Sequence, residues 1–280
     1  MKTMDYTKQL HSSNLCFEPD IKKNKIDENS LVFTFIDSKL LLIDNEIPLY
    51  KQIITLNISY LKYIGKIDNT SCFALDIINN EKTISFATLV PIRQLYSLLP
   101  DSQLKAAIYS FQIILWNRKN KYCGQCSSLT EDNLPNVLVK QCPNCKEEYY
   151  PKISPSVIVA VINNDKILLA QHKRVTNGMY TVLAGFVNPG ESLEECIHRE
   201  IKEEANIEVT NIRYFGSQPW PFPDSLMIGF IADYSKGELK PDNEEITDLK
   251  WFKSSEIPEW PDKVSIARTL IDHFIENNMQ

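Results

Sequence analysis

The sequence predicts an α+β protein in three parts: an N-terminal α+β unit over 1–120, a zinc ribbon over 121–150 and a C-terminal unit of strands and helices over 151–280. Three observations carry this. Short apolar runs bounded by turn residues alternate with a few amphipathic helical stretches on both sides of the middle segment. The middle segment holds two Cys-x-x-Cys pairs, fifteen residues apart, and little apolar content. One downstream helix carries glutamates inside its apolar arc.

In the first unit, "LVFTFIDSKLLLID" (31–44) reads as two strands around a turn at Asp37–Ser38. "IITLNISYLKYIG" and "SCFALDII" continue as strands. "DSQLKAAIYSFQIILWNRK" reads as a helix capped by Asp101 or Ser102, with Leu104, Ile108, Phe111 and Leu115 on its buried stripe. In the C-terminal unit, "SVIVAVI" and "KILLAQHK" pair around "NNDK", and "YTVLAGFV" is one further strand. "ESLEECIHREIKEEAN" is a helix; "NIRYFGSQ", "LMIGFIADY" and "LKWFKS" are strands; "KVSIARTLIDHFIENN" is a closing helix. No internal repeat is visible.

The 280 residues, 43% hydrophobic, suffice for one large domain or two modest ones. Charged residues make up 24%, and no apolar run approaches the ~20 residues that span a membrane. "MKTMDYTKQLHSSN" lacks the apolar stretch of a secretory leader. A cytoplasmic protein without a membrane partner is expected. The net charge of −6 argues against a scavenger of bare nucleic acid, which needs a basic surface. A polyphosphate ligand fits if divalent cations bridge it to carboxylates. Seven cysteines, an odd number without a leader, argue against a disulfide framework.

Cys123, Cys126, Cys142 and Cys145 have zinc-ribbon spacing. Two-residue spacing lets both sulfurs of a pair face one tetrahedral ion, and Gly124 suits the tight turn. Four thiolates leave no open coordination position, so one structural zinc is expected. It would supply folding energy that so small a segment cannot draw from a core.

On the 191–206 helix, about 100° per residue places Glu204 roughly 40° from Glu200 and Glu203 roughly 60° to the other side. Leu193, Ile197 and Ile201 share the arc of Glu200 and Glu204. Carboxylates half-buried in an apolar stripe are costly, and like charges four apart repel. Divalent cations resolve both, and oxygen ligands select Mg²⁺ or Mn²⁺. Ser192 with Glu195 forms a capping box, and Arg199 can orient Glu203. His198 points away from Glu200 and reads as surface; His172 reads as structural.

Gly185, five residues, Glu191, seven residues, then Arg199-Glu200-Ile201-Lys202-Glu203-Glu204 resembles the Nudix box of Nudix hydrolases. One departure is Asn206, where the pattern has glycine; asparagine tolerates the left-handed conformation that ends a helix. "SQPWPFPDS" (217–225), "YYPKIS", "LAGFV" and the upstream ribbon resemble the NADH pyrophosphatase branch of that family. The resemblance is strong over 121–280; in the first 120 residues "PIRQL", with Arg93, is the best local agreement.

The resemblance implies a C-terminal Nudix α/β/α sandwich, a loosely Nudix-like N-terminal domain and a homodimer. It implies hydrolysis of the pyrophosphate of NADH or NAD⁺ to nicotinamide mononucleotide and AMP, and in some members removal of NAD caps from RNA. It implies two or three Mg²⁺ or Mn²⁺ ions on Glu200, Glu204, the carbonyl of Ala184 and a loop glutamate, Glu245 or its neighbour Glu244. Glu203 assists, and Glu203 or Glu204 is the base. Tyr150 and Phe186 match the nicotinamide side, Ala267 a backbone contact, and 218–225 the pocket wall. There prolines 219, 221 and 223 stiffen the chain around Trp220 and Phe222. Gln218, Asp224 and Ser225 are candidate polar selectors. The alternatives are a broader dinucleotide or nucleoside-diphosphate-sugar pyrophosphatase, and an inactive Nudix-fold nucleotide sensor.

Overall fold

A computed structural model describes residues 16–22, 24–77, 87–132, 137–173, 178–258, 261 and 264–278. The 1–14 stretch, Ile78 at the end of one expected strand, and Lys263 at the start of the expected closing helix lie outside them. The chain divides into two compact units, Met1–Lys152 and Ile153–Gln280, and the cysteine segment belongs to the first.

The first unit contains β1 (Phe17–Pro19), β2 (Leu31–Ile36), β3 (Lys39–Ile43), α1 (Tyr50–Ile53), β4 (Ile58–Ile67), β5 (Thr70–Ile77), β6 (Ala87–Pro91), α2 (Ile92–Leu98), α3 (Asp101–Lys119), β7 (Lys140–Gln141) and β8 (Glu148–Tyr149). Its six-stranded sheet runs β1-β4-β5-β2-β3-β6, and β7 and β8 form a separate hairpin. The β2–β3 turn is where the sequence places it, with Asp37 and Ser38 both at positive φ.

Three features differ from expectation. "IITLNISYLKYIG" is not one strand: its first residue, Ile53, closes the one-turn helix α1, and β4 begins at Ile58. The buried side of α3 is not the Leu104 stripe. Ser102, Ala106, Ala107, Ser110, Phe111, Ile113, Ile114 and Trp116 are buried, whereas Leu104, Ile108 and Leu115 are half-buried. The small side chains let the helix backbone approach the sheet closely. Nor does Asp101 or Ser102 cap the helix: Pro100 holds the cap position, with no side-chain hydrogen bond.

The cysteine segment is bonded into this unit. Asp132 accepts bonds from Tyr60 Oη at 3.1 Å and from Lys62 Nζ at 2.9 Å. Trp116 Nε1 donates to the Tyr149 carbonyl, and Lys140 Nζ donates to Asn117 Oδ1.

The second unit contains β9 (Ser154–Asn163), β10 (Lys166–His172), β11 (Tyr180–Thr181), β12 (Leu183–Phe186), α4 (Leu193–Ala205), β13 (Ile207–Trp220), β14 (Ser225–Gly237), β15 (Ile246–Lys253) and α5 (Ile266–Asn277). The sheet runs β11-β10-β9-β14-β13, with β12 also on β9 and β15 also on β10; β9 and β14 are parallel. Alternate residues of β9 enter different cores, as the two-residue period of a strand requires. Val157, Val159 and Val161 pack with Cys196, Ile197, Ile201 and Ala205 of α4. Ile158 and Ala160 pack with Ile266, Ala267, Leu270, Ile271 and Phe274 of α5. The result is a sheet between helices, the expected sandwich. No described helix is long and apolar enough to cross a membrane.

Two expected elements differ. "YTVLAGFV" is broken at Val182: β11 pairs with β10 and β12 pairs with β9. "SQPWPFPDS" is not a free loop but the end of the β13–β14 hairpin, with Trp220 opposite Ser225 and Pro219 opposite Leu226.

Gln218 ties this hairpin to α5. Its Nε2 donates to the Val264 carbonyl and its Oε1 accepts the Ile266 N–H, both at 2.8 Å. Ser265 caps the same helix by accepting the Arg268 N–H. Gln218→Ala leaves one helix-terminal N–H and one carbonyl without these partners. We expect a loss of about 1–3 kcal/mol, measured by urea unfolding.

Candidate active site

The α4 helix starts and stops as its sequence dictates. Ser192 Oγ accepts the Glu195 N–H, and the Glu195 carboxylate accepts the Ser192 N–H. Asn206 ends the helix at φ 59°, the left-handed conformation expected where the pattern has glycine.

Arg199 is the hub of the loop that enters this helix. Its Nε donates to Glu191 Oε1 at 2.7 Å and its Nη2 to Glu191 Oε2 at 2.9 Å, a bidentate pair. Nη1 reaches Glu200 Oε1 at 2.8 Å and Glu203 Oε2 at 3.1 Å. Nη2 also donates to the Phe186 carbonyl at 3.0 Å. The bonds from Arg199 first, then that from the Asn188 N–H, pull the Glu191 pKa down to about 2. Sequence reasoning gave Arg199 to Glu203. The structure adds Glu200 and shows Glu191 as the anchor, legible only in its fixed spacing from Arg199.

Glu200 lies under the strand that precedes the loop. A Cβ on Gly185 would stand 1.8 Å from the Glu200 Cδ, so the carboxylate occupies the space a side chain would fill. Ser156 Oγ holds the Gly185 carbonyl at 2.8 Å. Burial raises the pKa of Glu200, with Arg199 opposing. Glu204 is more deeply placed: its side chain is buried, and Oε2 has no hydrogen-bond partner. Burial first, then the charges of Glu200, Glu245, Asp242 and Glu203, push its pKa up to about 8. A buried carboxylate oxygen without a partner, among further carboxylates, is what a divalent cation relieves. The residues present fit such an ion. Glu203 is exposed, as its angular position predicts.

The other candidates are distributed as follows. Ala184 precedes Gly185 in β12, half-buried, and Phe186 is 56% exposed. Glu244 and Glu245 are exposed in the loop before β15. Pro221 is buried, Pro219 and Pro223 are exposed, and the Trp220 and Phe222 rings meet edge to face at 5.1 Å. Ala267 is buried in α5. His198 is exposed, and His172 ends β10. The expected polar selectors have partners inside the chain. Both ends of the Gln218 amide are engaged with α5, Asp224 Oδ1 accepts from Ser154 Oγ at 2.8 Å, and Ser225 is buried. Tyr150 and Arg93 belong to the first unit; Tyr150 is exposed and donates to Glu148 Oε2. Asp242 was not singled out from sequence; its only signal was an aspartate just before two glutamates.

The four ribbon cysteines are free, and their sulfurs all lie within 4.8 Å of one another. Hydrogen bonds from Ser128 first, then from Cys142 and Asn144, pull the Cys126 pKa down to about 5, which favours a thiolate. The tight turns do not use Gly124. Ser127 and Lys146 adopt the left-handed conformation, each immediately after the second cysteine of its pair, and the Gly124 N–H donates to Tyr149 Oη.

A glutamate helix entered through a glycine-bounded loop, laid on a mixed sheet with a second helix behind, defines a hydrolase of the Nudix class. The chain belongs to the Nudix family: the NUDIX domain model matches residues 152–274. A protein of Photobacterium profundum named NAD-capped RNA hydrolase NudC is 41% identical over 84% of this chain and 87% of its own length. One of the same name from Vibrio vulnificus is 54% identical over 56% of this chain, and that match spans 60% of the relative's length. A crystal structure of a Nudix hydrolase from Nitrosomonas europaea is 24% identical, with TM-score 0.47, over 56% of this chain and 91% of that one.

Glu204 makes stability depend on pH. Its folded pKa of about 8 lies above the ordinary 4.5, so the folded state binds this proton more tightly than the unfolded state. The associated stability is complete below pH 4.5 and is lost as pH rises toward 8. Protein stripped of divalent cations should lose ~5 kcal/mol across that window. Glu204→Gln should flatten the slope in urea titrations at pH 5, 6.5 and 8.

Proposed function

We propose that the protein is a metal-dependent pyrophosphatase. It hydrolyses NADH or NAD⁺ to nicotinamide mononucleotide and AMP and removes NAD caps from RNA 5′ ends. The observation that carries this is the buried, partnerless Oε2 of Glu204, with Glu200 and Glu245 among its charged neighbours. The names of the relatives supply the NAD-capped RNA; free NADH and NAD⁺ come from the resemblance carried by 217–225.

Glu200, Glu204, Glu245 and the Ala184 carbonyl hold two or three Mg²⁺ or Mn²⁺ ions. Such ions neutralise a diphosphate and acidify water at neutral pH. Arg199 fixes the direction of Glu200 and Glu203 through its bonds to both. Glu203 is exposed and held at one oxygen by Arg199, so its other oxygen is available to take the proton of the attacking water. Glu204 is the rival base. The Trp220–Phe222 pair forms a rigid aromatic wall for the flat nicotinamide, with Phe186 and Ala267 as the further candidates on the same unit, and the protein acts as a homodimer. Gln218 and Asp224 hold that wall through their side-chain bonds within the chain, and buried Ser225 pairs with Trp220 in the hairpin.

The four cysteines hold one structural Zn²⁺. The second knuckle makes a backbone bond to its own ligand, from the Cys145 N–H to Cys142 Sγ, as zinc knuckles require. Metal analysis of the purified chain should find about one zinc, and Cys142→Ser should lose it.

Incubation with NADH and Mn²⁺ should release AMP, followed by chromatography. Glu204→Gln should lower the rate about 10³-fold or more, since it removes charge where the metals sit. No AMP from the wild-type protein sinks the proposal. Parallel reactions with NAD⁺, ADP-ribose, a diadenosine polyphosphate and NAD-capped RNA separate the dinucleotide activity from a broader one.

A further inference from the structure

Glu245 sits on an exposed loop between two long strands, yet its charge reaches the buried Glu204. An exposed glutamate on a loop has many conformations available, so something must hold the backbone that presents it. The loop's hydrogen bonds identify that element. Asp242 Oδ1 accepts three consecutive backbone N–H groups: Glu244 at 3.0 Å, Glu245 at 3.1 Å and Ile246 at 2.9 Å. This is a carboxylate filling a backbone nest of the kind that elsewhere binds anions. It folds the chain back on itself, with Asn243 at φ 63° and its N–H bonded to the Ile246 carbonyl.

The nest is anchored on two sides. On one, the Lys240 N–H donates to the Ala205 carbonyl and Asn206 Nδ2 donates to the Glu238 carbonyl, joining the loop to the end of α4. On the other, the Lys173 N–H donates to the Glu245 carbonyl, joining it to the exit of β10. The helix that carries Glu200 and Glu204 and the loop that carries Glu245 are therefore one framework, with Asp242 at its bend.

We propose that Asp242 is a positioning residue of the pyrophosphatase site: its Oδ1 nest sets the loop that presents Glu245 to the metals bound by Glu200 and Glu204. The inference rests on the pyrophosphatase reading for its activity arm, but its metal arm stands alone. The role assigned is that of an acceptor oxygen; the Asp242 charge also reaches Glu204, and asparagine separates the two. Asparagine, whose side-chain oxygen accepts the same bonds, should replace it; alanine should not.

The test uses the full chain with its cysteine cluster intact, freed of other divalent ions, and reads Mn²⁺ binding by electron paramagnetic resonance. Asp242→Ala should weaken Mn²⁺ binding about tenfold and lower kcat/KM for NADH about 10–100-fold. Asp242→Asn should keep both within about threefold of wild type. Thermal unfolding of each variant establishes that it is folded; if the alanine variant is not, Asp242→Leu, close to aspartate in shape but without an acceptor, takes its place. Equal losses in the asparagine and alanine variants overturn the proposal, because the charge would then be what matters. Wild-type Mn²⁺ affinity in Asp242→Ala also overturns it. If the wild-type chain releases no AMP from NADH, the pyrophosphatase reading fails, and the Mn²⁺ measurements still decide the role of Asp242.

Discussion

The Arg199 guanidinium bonds three carboxylates and one carbonyl from a half-buried position, and the geometry of the site follows from those bonds. Its bidentate grip on Glu191 fixes the loop that enters α4; its reach to Glu200 and Glu203 fixes the side chains that leave it. A half-buried charge network of this kind is uneven in its energetics. Removing one partner leaves the others desolvated and unpaired, which costs about 3–5 kcal/mol in buried pairs. Arginine alone presents several donors in a rigid planar fork. Lysine would reach one of these carboxylates and leave the rest to repel one another.

The fold spends its polar side chains on architecture close to the chemistry. Gln218 and Ser156 bond to backbone carbonyls and Asp224 to the Ser154 hydroxyl, each across elements. Such bonds hold strands, hairpin and helix so that a few carboxylates can remain incompletely satisfied. Glu204 is the extreme of that division. Its strain is tolerated because Ile197, Ile201 and Ala205, on the same helix, are packed in the core.

The sequence made much of this legible, and the reasons differ by residue. The α4 helix could be read to its ends because the capping box, the apolar arc and the asparagine stop are all local. The cysteine cluster could be read because ligand spacing is local too. The buried side of α3 could not: apolar periodicity favoured Leu104 and Leu115, but the sheet selected Ala106, Ala107 and Ser110 for close approach, a tertiary demand. The break at Val182 was invisible because both halves of "YTVLAGFV" are good strand sequence, and only their partners differ. Gln218 and Asp242 act through backbone groups up to 48 residues away or within one turn, and neither bond leaves a mark in residue type.

One strand, β9, supplies both cores of the second unit from alternating positions. The glutamate helix and the helix tied to the aromatic hairpin thus read opposite letters of a single word. Inserting or deleting one residue within that word would exchange the two readings and turn both helices out at once. Variation in length has to be absorbed at its margins, in the Asn164–Asp165 turn or ahead of Ser154, where no parity is kept.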